Sequence, residues 1–352
     1  MFDRTLILCP KRYSVYDLLH SILSGMSGEI RGFDVNDHIG NRKLWLNAQA
    51  FRFPGSVRGR WESYFLRTAN ERLLREINDF KPDMVLVYNS EYLLPETCAT
   101  IRKRAKLLFY LGDSPFYTPH SNWFLTCLTY ADLVLAPDSF WISQLNTVGL
   151  SATMHFIPGI DEKLYFRVSD EMIPEDTGSS EILYVGSNYL NSWGFKKAML
   201  MSKFTAYDLR IYGNSAWKRW FDLFPELKAA FVETGYIDTV RVNLMFNRTK
   251  IIPVDGNPAI INGVHLRLME ALGAGTLPLT EYRQDIDRLI FEGSGLEIPF
   301  IRDYSNAADV AGYWLSHDRE RDETAEAMRS FVLKKYSAGE NAARLSERLL
   351  KT

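Results

Sequence analysis

Short apolar runs alternate with amphipathic stretches along the whole chain. In the first half the runs are Thr5–Cys9, Met84–Tyr88, Leu107–Leu111, Leu133–Ala136 and Met154–Ile157. In the second half they are Glu181–Val185, Asp208–Tyr212, Ile251–Pro253 and Thr276–Thr280. Runs this short and this apolar are those of strands covered on both faces. Between them, Phe65, Leu66, Ala69, Leu73 and Ile77 recur near a 3.6-residue period and predict a helix over Trp61–Phe80. Lys81-Pro82-Asp83 stops it, because proline cannot continue a helix. Further helices are predicted over Pro95–Arg104 and Phe195–Ser202, and one or two over Asp318–Lys351. Ser169–Ser180 is polar and rich in turn formers, as in a linker. Strand–helix alternation on both sides of it predicts two α/β units with parallel sheets. The predicted boundaries are 1–168, a linker at 169–180, 181–315, and closing helices at 316–352.

The segment Asn262–Leu279 concentrates the chemistry. Gly263 opens an apolar-periodic stretch, Glu270 sits in its middle, Gly273 and Gly275 close it, and a short strand follows. If the helix begins at Gly263, that residue and Glu270 share a face, about 10 Å apart along the axis. The helix start would offer unpaired N–H groups and the positive end of its dipole to a phosphate. Glu270 would accept both hydroxyls of a ribose. That layout holds a nucleoside diphosphate lengthwise.

These residues resemble the donor-binding region of GT-B glycosyltransferases, in which a Glu-x7-Glu pattern contacts the transferred sugar and the nucleotide ribose. Glu270 matches the second acid, and Asn262 stands in the place of the first. The closer resemblance is to the CgeB-like branch and the glycosyltransferase family 4-like group. Its Arg-x-x-Glu-x-x-x-x-Gly pattern fits Arg267, Glu270 and Gly275. The resemblance implies two Rossmann-like, doubly wound parallel-sheet domains facing across a cleft, with the last helices packing back toward the first domain. It also implies transfer of a hexosyl or pentosyl group from a nucleotide diphosphate sugar to a hydroxyl, retaining and metal-independent, with no cofactor besides the donor.

Ligands of open parallel sheets gather beyond the carboxyl ends of the strands. Candidate donor-binding residues there are Gly186, Ser187 and Asn188, Gly213 and Asn214, and Tyr236, together with Asn262, Gly263, Val264 and Glu270. Asn188 stands where the related enzymes carry an arginine. The cation on the diphosphate must therefore come from elsewhere, and Lys196, Lys197, Arg248, Lys250 and Arg267 are the candidates. His265 is placed to bond a phosphate or the sugar.

In the first half, Asp113-Ser114-Pro115 resembles a cleft-facing element of CgeB-like enzymes. There Asp113 would orient the acceptor hydroxyl or act as a base; the same letters also make an ordinary turn or helix cap. The catalytic set expected is thus Asp113, His265 and Arg267, with His120 a further candidate. Pro158-Gly159-Ile160-Asp161 resembles the stretch leading into the interdomain linker. Lys11 and Arg12 follow the first strand, where many relatives carry a Gly-Gly loop, and Ser14 with Asp17 has the letters of a capping box. Asp285-Ile286-Asp287 has the letters of a metal-binding pair but reads as the first turn of a helix, so no metal site is expected.

A net charge of −2 excludes a general nucleic-acid binder. Residues 42–106 depart from that balance, with 13 lysines and arginines against 7 acids. This is either a solvated helix face or a surface for an anionic acceptor or membrane headgroups. No apolar run reaches transmembrane length, the start lacks the features of a signal peptide, and three cysteines in apolar company read as free thiols. A cytoplasmic protein is the expectation. Two rival readings are a sugar-nucleotide epimerase of the same fold and a catalytically silent nucleotide-binding protein. The acceptor (protein, polysaccharide, small molecule or modified nucleic-acid base) and the oligomeric state stay open at this level.

Overall fold

The structure, a computed structural model, describes all residues except Arg12, Ser90, Glu91, Pro119, His120 and Thr352. The candidates Arg12 and His120 therefore lie outside the described residues. The chain divides into two compact units, Met1–Ile157 with Asn341–Thr352, and Pro158–Glu340. The division falls ahead of the predicted 169–180 linker, which forms short 3-10 turns at Asp170–Met172 and Glu175–Thr177 within the second unit. Of the predicted closing helices, Asp318–Tyr336 groups with the second unit, and only residues from Asn341 onward group with the first.

The first unit is built on β1 (Phe2–Leu8), β2 (Ser27–Phe33), β3 (Met84–Tyr88), β4 (Lys106–Tyr110), β5 (Leu133–Ala136) and β6 (Thr153–His155). They form one all-parallel sheet in the order β2-β1-β3-β4-β5-β6. Its interior strands are apolar where they cross the core, with Leu6, Ile7, Val85, Leu86, Leu107, Leu108 and Leu133 fully enclosed. The helix Gly55–Phe80 starts earlier than its periodicity predicts and covers the sheet through Phe65, Ala69, Leu73 and Ile77. Ser14 is the first residue of the helix Ser14–Ser24, with Tyr13 in the cap position. The capping-box reading therefore does not hold.

The second unit carries β7 (Ser180–Val185), β8 (Leu209–Gly213), β9 (Phe231–Glu233), β10 (Thr249–Val254), β11 (Leu277–Glu281) and β12 (Phe300–Ile301). The order β12-β11-β10-β7-β8-β9, again all parallel, is that of the doubly wound dinucleotide-binding sheet. Strand order reverses between β7 and β10, where Ile182 pairs with Ile251. Gly186 and Asp255 each stand four residues further on, so they lie side by side at the crevice where such sheets bind ligands. At the start of the unit, Gly159 has φ +76°, and a Cβ there would stand 1.6 Å from the Tyr336 carbonyl oxygen. Only glycine permits the close approach in which the Ile160 N–H bonds that carbonyl.

The helix near Gly263 differs from expectation. It spans Arg267–Ala274, and Gly263, Val264 and His265 precede it in an irregular segment. Val264 is buried there, and the His265 ring Nδ1 and carbonyl accept from the N–H groups of Arg267 and Leu268. His265 thus caps a helix that starts one turn later than predicted. Gly263 and Glu270 are not two residues of one helical face. Gly273 lies inside the helix, where a Cβ would meet the Tyr165 side chain at 2.6 Å, while Gly275 at φ +80° ends it.

Candidate functional site

At the reversal of the second sheet the chain brings several ionisable side chains together in a nearly closed space. Arg267, the first helical residue, points back across the strand ends. Its Nη1 lies 3.1 Å from Asp255 Oδ1 and its Nη2 donates to the Val185 carbonyl at 2.8 Å. The guanidinium lies 4.3 Å over the Tyr184 ring, whose hydroxyl donates to the same Asp255 oxygen at 2.7 Å. From the helix Ser192–Ser202, Lys197 Nζ reaches the other Asp255 oxygen at 3.8 Å and donates to the Ser187 carbonyl at 2.7 Å. Burial alone would raise the Asp255 carboxyl. Lys197 and Arg267, with His265 and the Tyr184 hydroxyl, outweigh it and hold the group well below the usual carboxylate range.

His265 stands beside this cluster. Burial, reinforced by the Arg267 charge, pushes its pKa down to about 3. The imidazole is therefore neutral at physiological pH. Because Nδ1 accepts the Arg267 N–H at 3.1 Å, the ring proton sits on Nε2. His265 presents an uncharged N–H donor. Among the described residues, no hydrogen bond engages the N–H groups of Gly263, Val264 and His265. Three backbone donors thus stand in the segment that leads into the Arg267 cluster.

A neighbouring knot forms around Glu281 at the end of β11. Lys196 Nζ lies 2.6 Å from Oε2 and donates to the Gly256 carbonyl at 2.9 Å. Arg283 donates to Oε2 at 2.8 Å, and the Tyr304 hydroxyl donates to Oε1. A Cβ on Gly256 would stand 2.3 Å from the Arg283 guanidinium, which would have to move aside. Four cations, Lys196, Lys197, Arg267 and Arg283, thus face two carboxylates, Asp255 and Glu281, leaving a positive surplus at the strand ends.

Glu270 lies one turn along the helix. Burial, reinforced by the Glu270 charge, raises the phenol of the buried Tyr165 well above its ordinary value. Tyr236, 66% exposed, acts on the same phenol electrostatically, and its neighbour Ile237 packs on the Tyr165 cluster. The structure therefore brings Tyr236 and Glu270 into one neighbourhood.

Gly186 lies directly under the Arg267 guanidinium, where a Cβ would be 2.8 Å from Nη2. Gly213 lies beside it, and Trp217 Nε1 donates to the Gly186 carbonyl at 3.0 Å. Asn188 and Asn214 brace each other. The Asn188 N–H donates to Asn214 Oδ1 at 2.9 Å, and Asn214 Nδ2 donates to the Asn188 carbonyl at 3.2 Å. Asn188 is buried, so these two side chains shape the loop around Ser187. The Asn262 carbonyl accepts from the Asp285 N–H at 2.9 Å, which ties the irregular segment to the turn after β11. Asp285 is buried and the residues after it form a π-helical turn, Ile286–Ile290.

Two candidate cations fall elsewhere. Arg248 and Lys250 lie at the amino end of β10, and Lys250 pairs with Glu181 and Asp318. They do not join the cluster. Asp255, Tyr184, Glu281 and Arg283 escaped the sequence reading. Asp255 directly follows a strand, a position that marks it as a candidate even without a motif.

In the first unit, Asp113 follows β4 and accepts from Asn89 Nδ2 at 2.8 Å. Asn89 follows β3 with φ +37°, and its Oδ1 accepts from the Gly112 N–H at 2.9 Å. Asparagine adopts that left-handed region more readily than other side chains do. Ser114 caps the next turn by accepting from the Phe116 and Tyr117 N–H groups. Lys11 pairs with Asp37 at 3.7 Å. Among the described residues, no group of three or more His, Cys, Asp or Glu side chains converges to hold a metal ion. None of their helices is long and apolar enough to cross a membrane. Cys9, Cys98 and Cys127 are free and buried.

Residues 195–347 match the model of a family described as glycosyl transferase-like. No curated protein matches the chain by sequence. Among solved structures, HepE of Anabaena in complex with UDP superposes with a TM-score of 0.64 at 13% identity over 100% of both chains. Sucrose-phosphate synthase from Thermosynechococcus elongatus gives 0.67 at 12% identity, covering 99% of this chain and 98% of that one. A putative UDP-N-acetylglucosamine 2-epimerase from Listeria monocytogenes gives 0.55 at 13% identity, covering 97% and 94%. Most of the glycosyl transferase-like segment thus lies in the second unit, and the chain has the pair of Rossmann-like domains of the GT-B fold.

Proposed function

We propose that the protein is a glycosyltransferase of the CgeB-like, family 4-like group, moving a hexosyl or pentosyl group from a nucleotide diphosphate sugar to an acceptor hydroxyl. The observation that carries this reading is the cationic cluster at the reversal of the second sheet, inside the family-matched segment. As the bond from the anomeric carbon to the phosphate oxygen breaks, negative charge develops on the leaving diphosphate. Arg267 and Lys197 are held in place by Asp255 before that charge appears, so they stabilise it without reorganising. The His265 Nε2–H and the N–H groups of Gly263 and Val264 add neutral donors. Side-chain cations supply the countercharge in this scheme, which is the ground for reading the reaction as metal-independent and, with the resemblance at Glu270, as retaining.

Glu270 takes the ribose hydroxyls, with Tyr165 beside its carboxylate and Tyr236 near the base. The Gly186–Ser187 turn, braced by Asn188 and Asn214 and flanked by Gly213, lets the phosphates approach the backbone. Asn262 bonds the transferred sugar. Asp113 orients the acceptor hydroxyl or takes its proton.

The test is a thermal-shift screen of UDP, GDP and their sugar conjugates, followed by mass spectrometry of reactions with and without candidate acceptors. Stabilisation by one nucleoside diphosphate and acceptor-dependent release of it are expected. Sugar interconversion without acceptor would identify an epimerase, and stabilisation with no turnover a silent binder. The absence of stabilisation by any nucleotide removes the donor site itself.

A further inference from the structure

We propose that residues 41–67 of the first unit are a docking surface for an anionic lipid bilayer. The helix Asn41–Gln49 has no buried residue, and it exposes Arg42 and Trp45 (64% exposed) on one face. The short 3-10 turn that follows exposes Phe51 (64%) and Arg52, and the first turns of the helix Gly55–Phe80 expose Val57, Arg58 and Arg60. An isolated exposed aromatic is ordinary; exposed Trp, Phe and Val interleaved with cations over one short segment are not.

The charge selects the partner. Residues 41–67 carry six lysines and arginines against one acid, Glu62, in a chain whose net charge is −2. Arg58 pairs with Glu62 at 2.6 Å, and Lys43 lies over the Tyr64 ring. Among the described residues, Arg42, Arg52, Arg60 and Arg67 form no ion pair. Free cations beside Trp and Phe match the layer where anionic headgroups meet acyl chains, with the rings at the boundary and the cations on the phosphates. A cavity of about 520 Å³ lined by Asn47, Phe51, Arg58, Glu62 and Trp123 lies beside this segment and offers polar groups to a headgroup. The segment belongs wholly to the first unit, so the inference stands apart from the donor site in the second.

Co-sedimentation tests it, using vesicles of phosphatidylcholine alone and of phosphatidylcholine with phosphatidylglycerol at roughly one part in three. The full chain should pellet with the anionic vesicles and remain in solution with the neutral ones, and added salt should weaken binding. Replacing Arg42, Arg52 and Arg60 together by glutamine should weaken it roughly 100-fold, about fivefold per charge. Trp45→Ala with Phe51→Ala should weaken it at least about tenfold, since the apolar contact is lost. Each variant must keep the thermal unfolding profile of the parent and its response to UDP. Absence of co-sedimentation with anionic vesicles overturns the proposal. So does equal retention on heparin that ignores Trp45 and Phe51, which would mark a soluble polyanion site. A dimer in light scattering that dissociates with Trp45→Ala also overturns it, because the patch would then be an interface between two copies.

Discussion

Glu270→Gln isolates the ribose contact. An ionised carboxylate has about four acceptor sites, enough for a vicinal diol even with the Tyr165 phenol nearby. Hydrogen bonds to a charged group contribute about 1.5–3 kcal/mol each. Glutamine keeps one acceptor oxygen and loses the charge. The loss for UDP should therefore amount to about one such bond, about 1.5–2 kcal/mol, or roughly 10- to 30-fold in Kd. Titration calorimetry with UDP and 2′-deoxy-UDP, on parent and variant, forms a double-mutant cycle. The parent should prefer UDP, and the variant should lose that preference as well as affinity. The residue sits in the first turn of a helix whose buried face is Leu268, Met269, Ala271 and Leu272, so the fold should persist. Unchanged UDP affinity, or a variant that still discriminates against the deoxy ligand, refutes the ribose assignment.

Other outcomes follow from the same geometry. His265 has an ordinary pKa of 6.5 when unfolded and about 3 when folded, so above pH 6.5 it is neutral in both states. As pH falls below 6.5 only the unfolded chain takes up the proton, and His265 removes stability at up to about 1.4 kcal/mol per pH unit until near pH 3. Denaturant titrations should show a shallower acid slope for His265→Gln; identical slopes would mean the ring is charged in the fold. Gly186→Ala puts a Cβ 2.8 Å from Arg267 Nη2 and 3.1 Å from Tyr184 Cε1. The guanidinium must leave the Val185 carbonyl, and UDP affinity should drop roughly tenfold with the fold retained; equal affinity by calorimetry would take Arg267 off the phosphates. Gly159→Ala combines a left-handed backbone with a Cβ 1.6 Å from the Tyr336 carbonyl oxygen, and should cost roughly 3 kcal/mol or more in thermal unfolding.

What was legible followed from burial. The interior strands β3, β5, β7 and β10 were found because each is covered on two faces and reads as a continuous apolar run. The three strands not foreseen, β2, β9 and β12, are all at sheet edges. β2, with the sequence Ser-Gly-Glu-Ile-Arg-Gly-Phe, is half exposed, so its composition carries no strand signal. Of the candidate residues near the strand ends of the second sheet, Arg267, His265, Gly186, Glu270 and Tyr236 were picked out by order and motif. Asp255 and Glu281 were not, because a lone carboxylate after a strand is chemically silent until its cations are known to converge on it.

The start of the donor-side helix marks the boundary between the two kinds of information. Local sequence determined that a helix would run through Glu270 and end at Gly275, since apolar periodicity and a left-handed terminator are properties of neighbouring residues. Where it begins was decided by the tertiary structure. Val264 is buried in an irregular segment, and the His265 ring accepts the Arg267 N–H in place of the helical turn that periodicity implies. The charge cluster was likewise a tertiary outcome. Lys197 is far in sequence from Asp255 and Arg267, and the reversal of strand order between β7 and β10 sets it within reach of them.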